Sequence, residues 1–237
     1  MARPIIGITI DTHDDGDKYE SPFSYSQAIE WAGGLPVLFP YKTDLALIPQ
    51  YVDLIDGMLF TGGNDLDPAL YGQSWHPKAE HVDPARQNFE LALLAEVERR
   101  RTPVLGVCMG SQIMNVYRGG SLHQFLPDVQ RSGELEHRKT GTELRRHPVM
   151  IDPNSQIGRA IGKTEISVNT YHKQAADKIG RGLRVIATAP DGVIEGFEDP
   201  TFPLFAAVQW HPERLIEEPE HLAPFKLLVS KATADKM

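Results

Sequence analysis

The stretch Pro103-Val104-Leu105-Gly106-Val107-Cys108-Met109-Gly110 decides how this chain is read. Pro103 to Val107 is short and apolar, the pattern of a strand buried on both faces. Cys108 follows at once, and Gly106 to Gly110 has the form G-x-C-x-G. This parallels the G-x-S-x-G elbow of strand-to-helix turns, with sulfur in place of oxygen. Small neighbours let the strand and helix approach each other around a strained turn. Cys108 is therefore expected at the C-terminal end of a strand and the N-terminus of a helix. That helix end carries partial positive charge, which favours a thiolate, and its free amides can hold an oxyanion. The plain alternative is a buried cysteine filling a βα turn.

Working outward, apolar runs alternate with amphipathic stretches. Strands are expected at Pro4 to Ile10, Leu35 to Phe39 and Gly57 to Phe60, the last delivering Thr61-Gly62-Gly63. Helices are expected at Tyr25 to Trp31 and from Pro84 onward. In the latter, Asp83 suits the N-cap, Pro84 the first turn, and Phe89, Leu93 and Val97 mark one buried face. Pro103 lies just beyond the closing Arg99-Arg100-Arg101 run. This order predicts an α/β fold with a mostly parallel central sheet and helices on both faces, forming one domain over residues 1–237. The second half reads differently. Short strands at Val149 to Ile151, Ile166 to Val168, Leu183 to Ala187 and Val193 to Phe197 suggest a small antiparallel sheet. Leu183, Val185, Ala187 and Ala189 alternate, as in a half-exposed strand. A final helix is expected from about Glu220 to Ala232. Asp11 to Glu20 and Val129 to Arg146 read as polar loops, either a lid or partner surface or a disordered segment.

Phe205 to Trp210 is again apolar and ends at His211. A histidine there would share the sheet edge with Cys108. Imidazole exchanges protons near neutrality, which suits a thiol partner. Glu213, two residues on, can fix the tautomer and stabilise imidazolium. A lone histidine beside a proline is more often a capping or surface residue, so the combination carries the reading.

The whole chain bounds the alternatives. It has 237 residues, a net charge of −8, and one cysteine, so an internal disulfide is excluded. No basic stripe suggests nucleic acid, and Arg99 to Arg101 and Arg145-Arg146 read as solvated faces. No apolar run is long enough to cross a membrane. Met1-Ala2-Arg3-Pro4 lacks the features of a secretory leader, and a reducing cytoplasmic location is expected. A homodimer is the base-rate expectation. No metal or organic cofactor is expected. His76 and His81 are loosely spaced, and Asn64, Asp65 and Asp67 lack the calcium-loop pattern and read as a turn. Asp67-Pro68 is expected to break any helix. His137 and His147 fall into no pattern, and Gly119-Gly120 reads as a tight turn.

These residues resemble the class I glutamine amidotransferase superfamily, and more narrowly its γ-glutamyl-γ-aminobutyrate hydrolases. The resemblance rests on Phe60 to Pro68 with Tyr71-Gly72, Arg86 with Glu90 and Leu93, Gly106 to Gln112 with Asn115 and Gly119 to Leu122, Val168 to Ala175 with Pro190 to Glu195, and Val208 to Glu213. Ordered blocks are far more specific than any one motif. The resemblance implies a Cys108, His211 and Glu213 triad and an oxyanion hole from the amides of Gly63 and Met109. It implies contact of the glutamyl group with Gln112 and the backbone around Tyr171 and His172. Gln87 stands where relatives often carry Asp, and Met109 and Ser111 occupy variable elbow positions, which leaves the leaving-group preference open. The implied activity is cysteine-dependent hydrolysis of a small γ-glutamylated amine through a thioester. The chain shows neither a P-loop nor a G-x-G-x-x-G fingerprint. A glutaminase subunit serving a separate synthetase is the alternative, and a binding module that keeps only the fold is the third.

Overall fold

A computed structural model describes residues 2–12, 16–129, 135–138 and 145–234. Its strands and helices, in chain order, are β1 (Ile5–Thr9), β2 (Asp11–Thr12), β3 (Tyr19–Glu20), α1 (Phe23–Trp31), β4 (Leu35–Phe39), α2 (Ile48–Asp53), β5 (Gly57–Phe60), α3 (Pro84–Arg100), β6 (Val104–Val107), α4 (Met109–Tyr117), β7 (Leu122–His123), β8 (Arg146–Ile151), α5 (Gln156–Ile161), β9 (Glu165–Asn169), β10 (Ala175–Ala176), β11 (Arg184–Thr188), β12 (Ile194–Glu198), β13 (Phe205–Val208) and α6 (Pro219–Ala234).

The strand order is β4-β1-β5-β6-β13-β12-β11-β8-β9. The first five run parallel. From β12 onward the pairing is antiparallel, so the second-half strands extend the same sheet. Strands β10 and β7 hang off β12, and β2 and β3 form a separate two-stranded antiparallel sheet.

Period-two alternation divides the core. Leu59, Leu105, Val107, Ala206 and Val208 point to one face, packing with Ala28 and Ile29 of α1, Ile157 of α5 and Leu228 of α6. Met58, Phe60, Val104, Phe205 and Ala207 point to the other, under Val52 of α2, Phe89 and Leu93 of α3, and Ile113 and Met114 of α4. Helices thus cover both faces, which is why β5, β6 and β13 are buried along their whole length.

Local signals act as their chemistry requires. Asp83 Oδ1 accepts from the Ala85 amide at 2.8 Å and opens α3. Asp67 caps a short 3-10 helix at Pro68–Tyr71, so Asp67-Pro68 starts a helical turn where the sequence suggested only a break. Proline is tolerated in a first turn, whose amide needs no intrahelical partner. The alternation expected along Leu183 to Ala189 also fails locally. Ile186 and Ala187 are both buried, because the register against β12 shifts in a bulge after Val185.

Candidate active site

Three neighbouring parallel strands, β5, β6 and β13, end at one edge of the sheet. Phe60 lies beside Gly106, and Val107 beside Val208. The next residues out of each strand therefore meet: Gly62-Gly63 after β5, Cys108 after β6, and His211 after β13.

Cys108 is held at φ 54° and ψ −110°, and among the described non-glycine residues only Arg101 shares a positive φ. Such a conformation costs on the order of 1–3 kcal/mol and persists only where its surroundings enforce it. The Cys108 amide donates to Val208 O at 3.0 Å, and Ser111 donates to Cys108 O through both its amide (2.9 Å) and its hydroxyl (2.7 Å). Close approach does the rest. A Cβ at Gly110 would sit 2.2 Å from Phe60 O, and one at Gly106 would sit 2.5 Å from Met114 Sδ. Met109 opens α4, whose first amides have no intrahelical acceptor.

The His211 imidazole is buried, flanks Gly62 together with Cys108, and donates from Nδ1 to Glu213 Oε1 at 2.7 Å. Burial works against a charged ring, but the Glu213 carboxylate and Cys108 outweigh it and raise His211 to about 10. Its backbone is fixed by Asn169, which donates to His211 O at 2.7 Å and accepts from His211 N at 2.9 Å. The Tyr171 ring stands edge-on to the imidazole, centroids 5.7 Å apart.

The Gly62-Gly63 turn is held by groups the sequence reading did not assign. The Tyr25 hydroxyl accepts from Gly62 N at 2.9 Å. Fully buried Arg86 donates to Gly62 O at 2.9 Å, to Thr61 Oγ1 at 3.1 Å, to Glu90 Oε1 at 2.8 Å and to Asp11 Oδ2 at 2.5 Å. Burial raises the Glu90 carboxyl even though Arg86 pulls it down. A Cβ on Gly63 would lie 2.5 Å from Arg86 Nη1 and 3.1 Å from the Met109 methyl, so the Arg86 and Met109 side chains close in on the glycine turn.

A cleft of about 350 Å³ opens over this edge, lined by Gly63, Cys108, Gln112, Tyr171 and His172, with charged Asp65, Glu80, Arg138 and Lys173. The Gln112 amide nitrogen donates to Gln174 O and Gln209 Oε1, both at 3.2 Å. His172 lines the cleft, yet its ring nitrogens turn to Gln174 O and Glu195. From the stretch between Gln73 and Asp83, the cleft takes Glu80. Asp11 and Glu20 border a separate cleft with Gly62 and His211. Residues 13–15 of the first polar loop, and 130–134 and 139–144 of the second, lie outside the described residues.

His76 and His81 do not converge. His76 meets Asp128 at 2.9 Å and stacks on Phe125, while His81 stacks on Trp75. Among the described residues, the set with metal-ligand spacing is His137, His147, His172 and Glu195, all buried. Short spacing motifs give no access to it, because its members lie far apart in sequence.

A thiol at a strained elbow, an imidazole beside it, a carboxylate behind the imidazole and a glycine turn alongside suit acyl transfer. The fold recurs in the glutaminase domain of Trypanosoma brucei CTPS, with TM-score 0.64 and 17% identity over 98% of this chain and 94% of that one. The fold is that of the class I glutamine amidotransferases. The chain belongs to the peptidase C26 family, whose model matches residues 4–213. It is 39% identical to the Mycobacterium tuberculosis protein named "Putative glutamine amidotransferase", over 98% of this chain and 76% of that protein. It is 33% identical to the γ-glutamyl-γ-aminobutyrate hydrolase of Escherichia coli O157:H7, over 80% of this chain and 76% of that one.

Proposed function

We propose that this protein hydrolyses the γ-glutamyl amide bond of a small γ-glutamylated amine, releasing glutamate and the free amine. The observation that carries the reading is the strained Cys108 beside His211 at Gly62, with the imidazole Nδ1 held by Glu213 at 2.7 Å. Cys108 attacks the γ-carbonyl. The amides of Gly63 and Met109 take the tetrahedral oxyanion, where one such donor is worth about 3 kcal/mol of barrier. His211 protonates the leaving amine, and the tetrahedral centre collapses to a γ-glutamyl thioester. Water, activated by the same imidazole, then attacks the thioester and restores the thiol. Glu213 keeps the ring in the required tautomer. Gln112 and the backbone at Tyr171 and His172 contact the glutamyl group.

The relative from Escherichia coli carries this activity in its name. The relative from Mycobacterium tuberculosis is named for amidotransfer, which favours a second reading: a glutaminase subunit that hands ammonia to a separate synthetase. A panel of γ-glutamyl amides that includes glutamine, assayed for released glutamate, separates the two. The hydrolase reading expects turnover by the isolated chain on at least one substituted amide. Activity confined to glutamine, and rising when a synthetase is added, would overturn it.

A further inference from the structure

Behind the cleft wall, three imidazoles and a carboxylate face one another, and we propose that they bind a divalent transition-metal ion of the zinc type. His137 lies in the segment before β8, His147 on β8, His172 in the turn after β9, and Glu195 on β12. Glu195 Oε1 lies 3.3 Å from His137 Nδ1, 3.6 Å from His147 Nε2 and 3.3 Å from His172 Nε2. Ligands about 2.0–2.1 Å from a tetrahedral zinc stand roughly 3.3–3.4 Å apart. All four donor atoms lie within 4.8 Å of one another, so the widest pair needs only a small ring rotation to join that sphere.

The protons decide what the cluster holds. Each imidazole's other nitrogen meets a group that can only accept: His137 Nε2 meets Asp191 Oδ2 at 3.0 Å, His147 Nδ1 meets Pro148 O at 3.1 Å, and His172 Nδ1 meets Gln174 O at 3.0 Å. Those nitrogens must therefore carry the hydrogens. In neutral rings the inward nitrogens then present lone pairs to a carboxylate. Among the described residues, His137 Nδ1, His147 Nε2, His172 Nε2 and both Glu195 oxygens are buried without a hydrogen bond of good geometry, the inward contacts being the 3.3–3.6 Å approaches to Glu195 Oε1. Lone pairs facing a carboxylate in a buried site repel one another; charging His137 alone, between Glu195 and Asp191, would still leave the His147 and His172 lone pairs against the carboxylate, and charging all three rings would bury a large excess of positive charge. A divalent cation resolves both difficulties. Glu195 and Asp191 together balance its charge, and the outer hydrogen bonds are those that orient metal-bound histidines. The nitrogen-rich set selects a first-row transition ion over calcium or magnesium.

With four protein ligands the coordination sphere is closed, so the ion is structural. It ties the His137 segment to the turn at His172, already joined by His172 N donating to His137 O at 3.0 Å. Arg138 and His172 both line the cleft, so the ion sets the position of that wall.

The test uses the full chain, stripped with a chelator, equilibrated with zinc(II) and desalted before metal analysis. One zinc per chain is expected in the wild type and in Cys108→Ala, which removes the sole thiol. Cobalt(II) in its place should show tetrahedral d–d bands without thiolate charge transfer. Asp191→Asn, which spares all four ligands, should weaken zinc binding about 10–100-fold. Glu195→Gln should abolish retention; if that variant does not fold, the cobalt spectrum and Asp191→Asn carry the test. A wild type that retains no zinc, zinc that departs with Cys108→Ala, or wild-type affinity in both Asp191→Asn and a folded Glu195→Gln overturns the proposal.

Discussion

Asn169, at the end of β9, grips His211 on both sides of its peptide unit, donating to its carbonyl at 2.7 Å and accepting from its amide at 2.9 Å. The antiparallel extension of the sheet thereby positions an imidazole delivered by the parallel half. Asn169→Ala should lower kcat by up to about 100-fold, as misplacement of a reacting group by about 1 Å can do. It should also cost roughly 1–3 kcal/mol of stability for the buried backbone groups left unpaired. Turnover assays and denaturant titration read the two effects separately.

The raised imidazole predicts a direction for pH. His211 titrates near 10 in the fold against an ordinary value of 6.5, so between those values the native state holds a proton that the unfolded chain has released. Its contribution to stability is complete below pH 6.5 and declines as pH rises through 10. Wild type should therefore lose stability over that window relative to His211→Asn, in paired denaturation curves. Parallel curves would contradict this.

At Gly110 there is no room for a side chain, since its Cβ would meet the Phe60 carbonyl, which is backbone and cannot rotate away. Gly110→Ala should cost about 3 kcal/mol, at the upper end for overpacking, measured by the shift in denaturation midpoint.

Arg86 and Glu90 form a fully buried pair under the glycine turn. Arg86→Met leaves Glu90 without its cation and should cost roughly 3–5 kcal/mol. Adding Glu90→Gln should recover part of that loss. A purely additive double variant would show that the two side chains are not coupled.

The elements that position the site were legible where local chemistry dictates them. The apolar run ending in Cys108 is β6, and Asp83-Pro84 with Phe89, Leu93 and Val97 is α3. What was not legible has physical reasons. Helix α2 is six residues long and β7 and β10 two each, too short for periodicity to register. Helix α5 did carry signals, the Ser155 N-cap and left-handed Gly162. Arg86 and Glu90 share the buried face of Phe89 and Leu93, and charged residues on an apolar stripe are themselves a hint. The Asn169 grip on a backbone, and the His137, His147, His172 and Glu195 cluster, arise only when distant strands pair.

The proposed hydrolysis passes through a covalent bond to the Cys108 sulfur. Acid-quenched protein, digested and weighed while it processes a γ-glutamyl amide, should carry a γ-glutamyl group on the peptide containing Cys108. An unmodified peptide throughout turnover, with Cys108→Ala still releasing glutamate at the wild-type rate, would contradict it.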